Sequence, residues 1–189
     1  CNTATSAAVN LLREKYQIPI IGMEPALKPA AENTSNDGEI IVMATPFTLN
    51  EEKFENLFSR FKDYAKIHKV AAPRLVSMVE NIDIDVKELN KYLDFIFNKI
   101  DLSKVTACVL GCTHFIFLKA FLEKKYPNIE FFDGNEGTIR QLAKVLKIEI
   151  STKRESLYFE KENNLQIYNS CPELVEKPFD LIKTGVTFK

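Results

Sequence analysis

Val105-Thr106-Ala107-Cys108-Val109-Leu110-Gly111-Cys112-Thr113-His114 is a short apolar run that breaks at a glycine and hands over to polar, reactive side chains. The run reads as a strand, and Phe115 to Tyr126 behind it reads as a helix. The same alternation recurs along the chain. Ile18 to Ile21, Ile40 to Ala44, Ile67 to Val70, Ile129 to Phe132 and Leu157 to Phe159 are further strand-like runs. Between them, Leu49 to Tyr64 places Phe54, Leu57 and Phe61 on one helical face, and Val86, Leu89, Leu93, Ile96 and Phe97 do the same for a second helix. Thr48-Leu49-Asn50-Glu51 has the spacing of a capping box. Strands alternating with helices of this length predict an α/β fold with a mainly parallel sheet, so functional groups are expected just beyond the carboxyl ends of the strands.

Two cysteines stand in matching surroundings. Cys112-Thr113-His114 lies between a strand and a helix, and Cys1-Asn2-Thr3 runs into the helical stretch Ala4 to Tyr16. A thiol at a helix start feels the positive end of the helix dipole, which favours a thiolate and a bound anion alike. Two such thiols point to proton transfer by two bases. Cys108 and Cys171 read as buried or incidental thiols, and His68, in a strand-like run, as structural or surface.

Composition sets the bounds. The 189 residues are 46% hydrophobic and 27% charged, with a net charge of −1. That is a globular chain able to bury a core, and its charge balance predicts neither a nucleic-acid nor a membrane partner. Lys124-Lys125 and Lys153-Arg154 read as solvated surface. No run reaches the apolar length of a membrane-crossing helix, no leader precedes Cys1, and four cysteines without a CxxC pair argue for reduced thiols, so a cytoplasmic location is expected. Pro29 to Gly38 has linker composition and suggests a domain boundary near residue 35. Asp133-Gly134-Asn135 offers a second break, and the stretch after Ser156 supports only short pieces.

Taken in order, Cys1-Asn2-Thr3-Ala4, Ile20-Ile21-Gly22-Met23-Glu24-Pro25, Thr45-Pro46-Phe47-Thr48, Val79-Glu80 and Gly111-Cys112-Thr113-His114 resemble the glutamate racemases of the aspartate/glutamate racemase superfamily. The resemblance runs to about residue 145. It implies two pseudosymmetric α/β lobes: residues 1–30 and 134–189 would belong to the first, whose earlier strands are absent, and 36–133 would form the second. It implies Cys1 and Cys112 on opposite faces of the substrate α-carbon, with Cys112 deprotonating L-glutamate and Cys1 deprotonating D-glutamate, without pyridoxal phosphate or metal. His114 would assist Cys112, and Glu80 would line the site beside it. Asn2, Thr3, Thr45, Thr48 and Thr113 would hold the substrate carboxylates. A homodimer and a role in supplying D-glutamate for peptidoglycan are implied as well.

The family's Asp-Ser-Gly and Pro-Tyr-Gly segments have no counterpart here and would lie upstream of Cys1, so the chain by itself is expected to be inactive. Ala44, Ala72, Phe115-Ile116 and Asp133-Gly134 also depart from the usual family residues. Two other readings stand beside the leading one. A related aspartate or hydantoin racemase is the nearer, although His114 stands where the aspartate enzymes usually carry Glu. The other is an inactive fragment that binds a small acid or a protein partner.

Overall fold

A computed structural model describes residues 1–34, 37–149 and 186–189. At its centre four parallel strands lie in the order β2-β1-β4-β5, where β1 is Glu39–Ala44, β2 Lys66–Ala71, β4 Val105–Leu110 and β5 Glu130–Asp133. The expected mixed α/β fold with a parallel sheet is therefore present. The runs at Ile40, Ile67, Val105 and Ile129 all reappear as strands, shifted by a residue at most at each end.

The central strand β1 is buried along its whole length, which is why, after Glu39, it reads as uninterrupted Ile, Val, Met and Ala. Its side chains alternate between two cores. Ile41 and Met43 join Cys108, Leu110 and Phe131 under α5 (Arg74–Glu80), α6 (Val86–Phe97) and α7 (Lys119–Lys125). Ile40, Val42 and Ala44 join Ala107 and Val109 under α2 (Leu27–Asn33), α3 (Pro46–Asn50) and α4 (Glu52–Phe61). Phe54 is buried and Leu57 and Phe61 pack beside it, as their spacing predicts. α6 presents Leu89, Leu93 and Phe97 to the other core, and Asp85 caps it by accepting from the backbone N–H of Lys87 and Glu88.

Several local expectations need correction. Ile18 to Ile21 is not a strand: Pro19 brings no donor, and the segment runs beside α1 (Asn2–Lys15), where Arg13 Nε donates to Ile20 O and Met23 N to Thr5 Oγ1. Leu49 to Tyr64 is two helices, because Glu51 turns extended (ψ 140) and ends α3 before α4 begins. The capping box at Thr48 does not form. Thr45 is the cap, accepting from Thr48 N at 3.3 Å, with Pro46 behind it. Phe115 to Tyr126 opens as a 3-10 turn, Phe115–Leu118, before α7. Of the linker-like stretch, Pro29 to Asn33 is helical, as a proline in the first turn allows.

Beyond β5, α8 spans Asn135–Leu146. β3 (Asp83–Ile84) pairs in parallel with β6 (Thr187–Phe188). The strand expected at Leu157 to Phe159, the pieces after Ser156 and Cys171 lie outside the described residues.

Candidate active site

The site is built where β1 and β4 end side by side. Met43 is in register with Leu110, and the N–H of Gly111 donates to Met43 O at 2.7 Å. A Cβ on Gly111 would stand 2.9 Å from that carbonyl oxygen, so only glycine permits the close turn that delivers Cys112 beyond the sheet. Thr45, just past the end of β1, is delivered to the same end.

One half of the site is a hydroxyl cluster. Thr3, on the first turn of α1, has its Oγ1 3.2 Å from that of Thr45 and 3.1 Å from that of Thr48, and the last two are 3.1 Å apart. Thr48 is buried. Beside Thr3, Asn2 is 2% exposed, and its Oδ1 has no hydrogen-bond partner among the described residues. A buried amide oxygen left unpaired is costly.

The other half is a thiol, an imidazole and a carboxylate in line. Cys112 Sγ lies 3.8 Å from His114 Nδ1, and His114 Nε2 lies 3.1 Å from Glu80 Oε1 at the end of α5. With Glu80 accepting the Nε2 proton, Nδ1 is left free to accept from the thiol. Burial raises the Cys112 pKa above the ordinary thiol value; the N–H groups of His114 and Phe115 and the Thr113 hydroxyl act against it without cancelling it. The expected lowering is thus reversed. The helix dipole behind Cys112 is weak because the chain there makes a 3-10 turn first. A thiol protonated in this way needs a base at hand, and His114 is in place to be one.

Cys1 is exposed and sits at the N-cap of α1. Thr3, two residues on, meets the hydroxyls of Thr45 and Thr48 just past β1, so the start of α1 lies at the carboxyl end of the sheet. Cys108 is buried inside β4, and its pKa is pushed far upward by burial alone, which makes it an inert core thiol. His68 pairs with Glu39 away from these groups.

Sequence reasoning overlooks Thr5, which ties Gly22-Met23 to α1, and the ion pair of Lys119 with Asp133 at the carboxyl end of β5, 3.1 Å apart. Position alone is the available signal: Asp133 is the last residue of a strand. Among the described residues no cluster of His, Cys, Asp and Glu is arranged to hold a metal ion, and no helix is long and apolar enough to cross a membrane.

A parallel α/β sheet with a thiol, an imidazole and a carboxylate aligned at its carboxyl end, next to a cluster of hydroxyls, defines a class of proteins suited to proton transfer on a small anion. The family description Asp/Glu/Hydantoin racemase matches residues 1–142, and the chain belongs to that family. It is 49% identical over 150 residues to a glutamate racemase of Bifidobacterium animalis, covering 78% of this chain and 58% of that one. A glutamate racemase of Lachnospira eligens is 40% identical over 173 residues, 90% of this chain and 64% of the relative. Among solved structures, Escherichia coli glutamate racemase in complex with L-glutamate and the activator UDP-MurNAc-ala superposes with a TM-score of 0.70 at 28% identity, covering 82% of this chain and 59% of that one. The chain thus spans less than two thirds of the relatives it matches.

Proposed function

We propose that the protein to which this chain belongs interconverts L- and D-glutamate through two thiols, with no cofactor. The carrying observation is the line Cys112, His114, Glu80 beside the hydroxyls of Thr3, Thr45 and Thr48. In the direction from L-glutamate, His114 takes the Cys112 proton and the thiolate removes the α-proton, forming an S–H bond. The electron pair of the broken C–H bond passes to the α-carbon and its carboxylate. The Cys1 thiol then gives its proton to the opposite face, leaving Cys1 as thiolate. Asn2, Thr3, Thr45, Thr48 and Thr113 supply donors to the carboxylates. The curated relatives named glutamate racemase support this substrate over aspartate or a hydantoin, and so does His114 after Cys112-Thr113.

On this reading residues 36–133, which hold the whole four-stranded sheet, form one lobe, on which α2 and Val186–Lys189 also pack, and α1 and α8 belong to the other. Leu11 on α1 and Ile139 and Leu146 on α8 are more than half exposed, which suits helices that pack on a further layer. We place the reaction in the cytoplasm, where thiols stay reduced, in a homodimer that supplies D-glutamate for peptidoglycan.

The test is α-proton exchange and racemisation of glutamate, aspartate and hydantoin by the full-length protein and by its Cys1→Ser and Cys112→Ser variants. Glutamate is expected to be the substrate, and each serine to lower turnover at least about 10²-fold, an alcohol being the far weaker acid. Near-parental turnover in Cys112→Ser overturns the mechanism, and preference for aspartate overturns the substrate.

A further inference from the structure

Glu80 is exposed at the end of a seven-residue helix, an unpromising place for a group that has to hold an imidazole still. The backbone two residues further on is unusual. Ile82 adopts φ 64, a left-handed conformation that a β-branched side chain disfavours. Such a residue persists only where its surroundings hold it: the N–H of Ile82 donates back to Val79 O at 3.0 Å, and its carbonyl is taken by Val186–Lys189, more than a hundred residues further on and beyond the stretch matched by the family.

The grip is extensive for so short a segment. The N–H of Thr187 donates to Ile82 O and the N–H of Lys189 to Ile84 O, each at 2.9 Å, while Val86 N donates to Lys189 O at 2.8 Å. Asp83 is held from both sides, by the Thr187 hydroxyl on Oδ1 and by Lys189 Nζ at 2.6 Å from Oδ2. Phe188 stacks on Phe121 of α7 with ring centroids 5.0 Å apart, and Val186 packs against the core. Strand pairing and an ion pair therefore hold the short stretch that leads from Glu80 into β3, and the ring stack anchors the same segment on α7.

We propose that Val186–Lys189 is a strap that positions Glu80 against His114, with Thr187 and Lys189 as positioning residues acting through Ile82 and Asp83. The proposal rests on reading Cys112, His114 and Glu80 as a proton relay. Releasing the strap lets Ile82 relax from its left-handed conformation, swings Glu80 away, and leaves His114 a poorer partner for the Cys112 thiol.

The experiment measures the rate of Cys112 alkylation by iodoacetamide against pH, located by peptide mass, in the chain, in a version ending at residue 185, and in Asp83→Ala and Glu80→Gln. The midpoint is expected to move upward by about one pH unit in Glu80→Gln. The shortened chain should shift in the same direction, with Asp83→Ala between. If the shortened chain unfolds, Asp83→Ala decides, since Asp83 is exposed and outside the core. An unchanged midpoint in the folded strap variants overturns the proposal, and so does an unchanged midpoint in Glu80→Gln. Racemisation is measured separately, in the full-length protein: the expected shifts alongside a full-length protein that does not racemise glutamate would refute the proposed function and leave the strap standing.

Discussion

The hydroxyl of Thr3 lies 3.1 Å from that of Thr48, two residues 45 positions apart that are joined by no strand pairing. Through this contact α1 is fixed to the start of α3, and the helix that carries Cys1 is fixed to the strand end beside Cys112. The same hydroxyls are the donors proposed for substrate. Thr48→Val keeps the shape and removes the group, so it should cost about 1 kcal/mol of stability and raise KM for glutamate several-fold with a smaller change in kcat. Urea unfolding and steady-state kinetics read the two effects apart. A loss of stability with KM unchanged would reduce Thr48 to a structural tie.

Much of this arrangement is legible in the sequence because burial on both faces leaves a strand with little that is polar to interrupt it: nothing in Ile40 to Ala44, and Thr106 alone in Val105 to Leu110. Cys112 and His114 are legible for a local reason: they sit close together at a strand end. Glu80 is reachable only by resemblance, since 34 residues separate it from His114 and nothing in its own neighbourhood marks it. Ile18 to Ile21 misleads because residue types report a preference for extended backbone and say nothing of whether a neighbouring strand exists to pair with. Thr45 is missed as a cap because the Thr-x-x-Glu spacing fits Thr48 alone, whereas the sign that favours Thr45 is Pro46 at the first helical position. The contact of Thr3 with both hydroxyls is tertiary, and no window along the chain contains it.

Glu39 provides a pH test independent of the site. At the start of β1 it accepts from His68 and from Lys66 Nζ at 3.1 Å, and these hydrogen bonds, His68 first, hold its pKa below the ordinary 4.5 despite its burial. A carboxylate whose folded pKa is depressed contributes stability that is complete above its unfolded value and lost as pH falls through the folded one. Glu39→Gln should therefore be less stable than the parent at neutral pH, and the gap should close as pH falls below 4.5. Thermal unfolding across that range checks it; a gap that stays constant would mean that packing rather than charge is at work.

His114 separates the two directions of the reaction. It stands 3.8 Å from Cys112 Sγ, and on the proposed mechanism Cys112 deprotonates only L-glutamate. Replacing it in the full-length protein with Asn leaves the overall equilibrium constant untouched, so kcat/KM must fall by one factor in both directions, about 10²-fold or more for the loss of a positioned base. The proton-transfer steps do not share that symmetry. Weakening the step at Cys112 makes it more fully rate-limiting, so the α-deuterium isotope effect should rise more with L-glutamate, whose proton goes to Cys112, than with D-glutamate, whose proton goes to Cys1. Isotope effects measured from both sides in His114→Asn decide the matter: equal changes would assign His114 to binding or structure and remove it from the proton path.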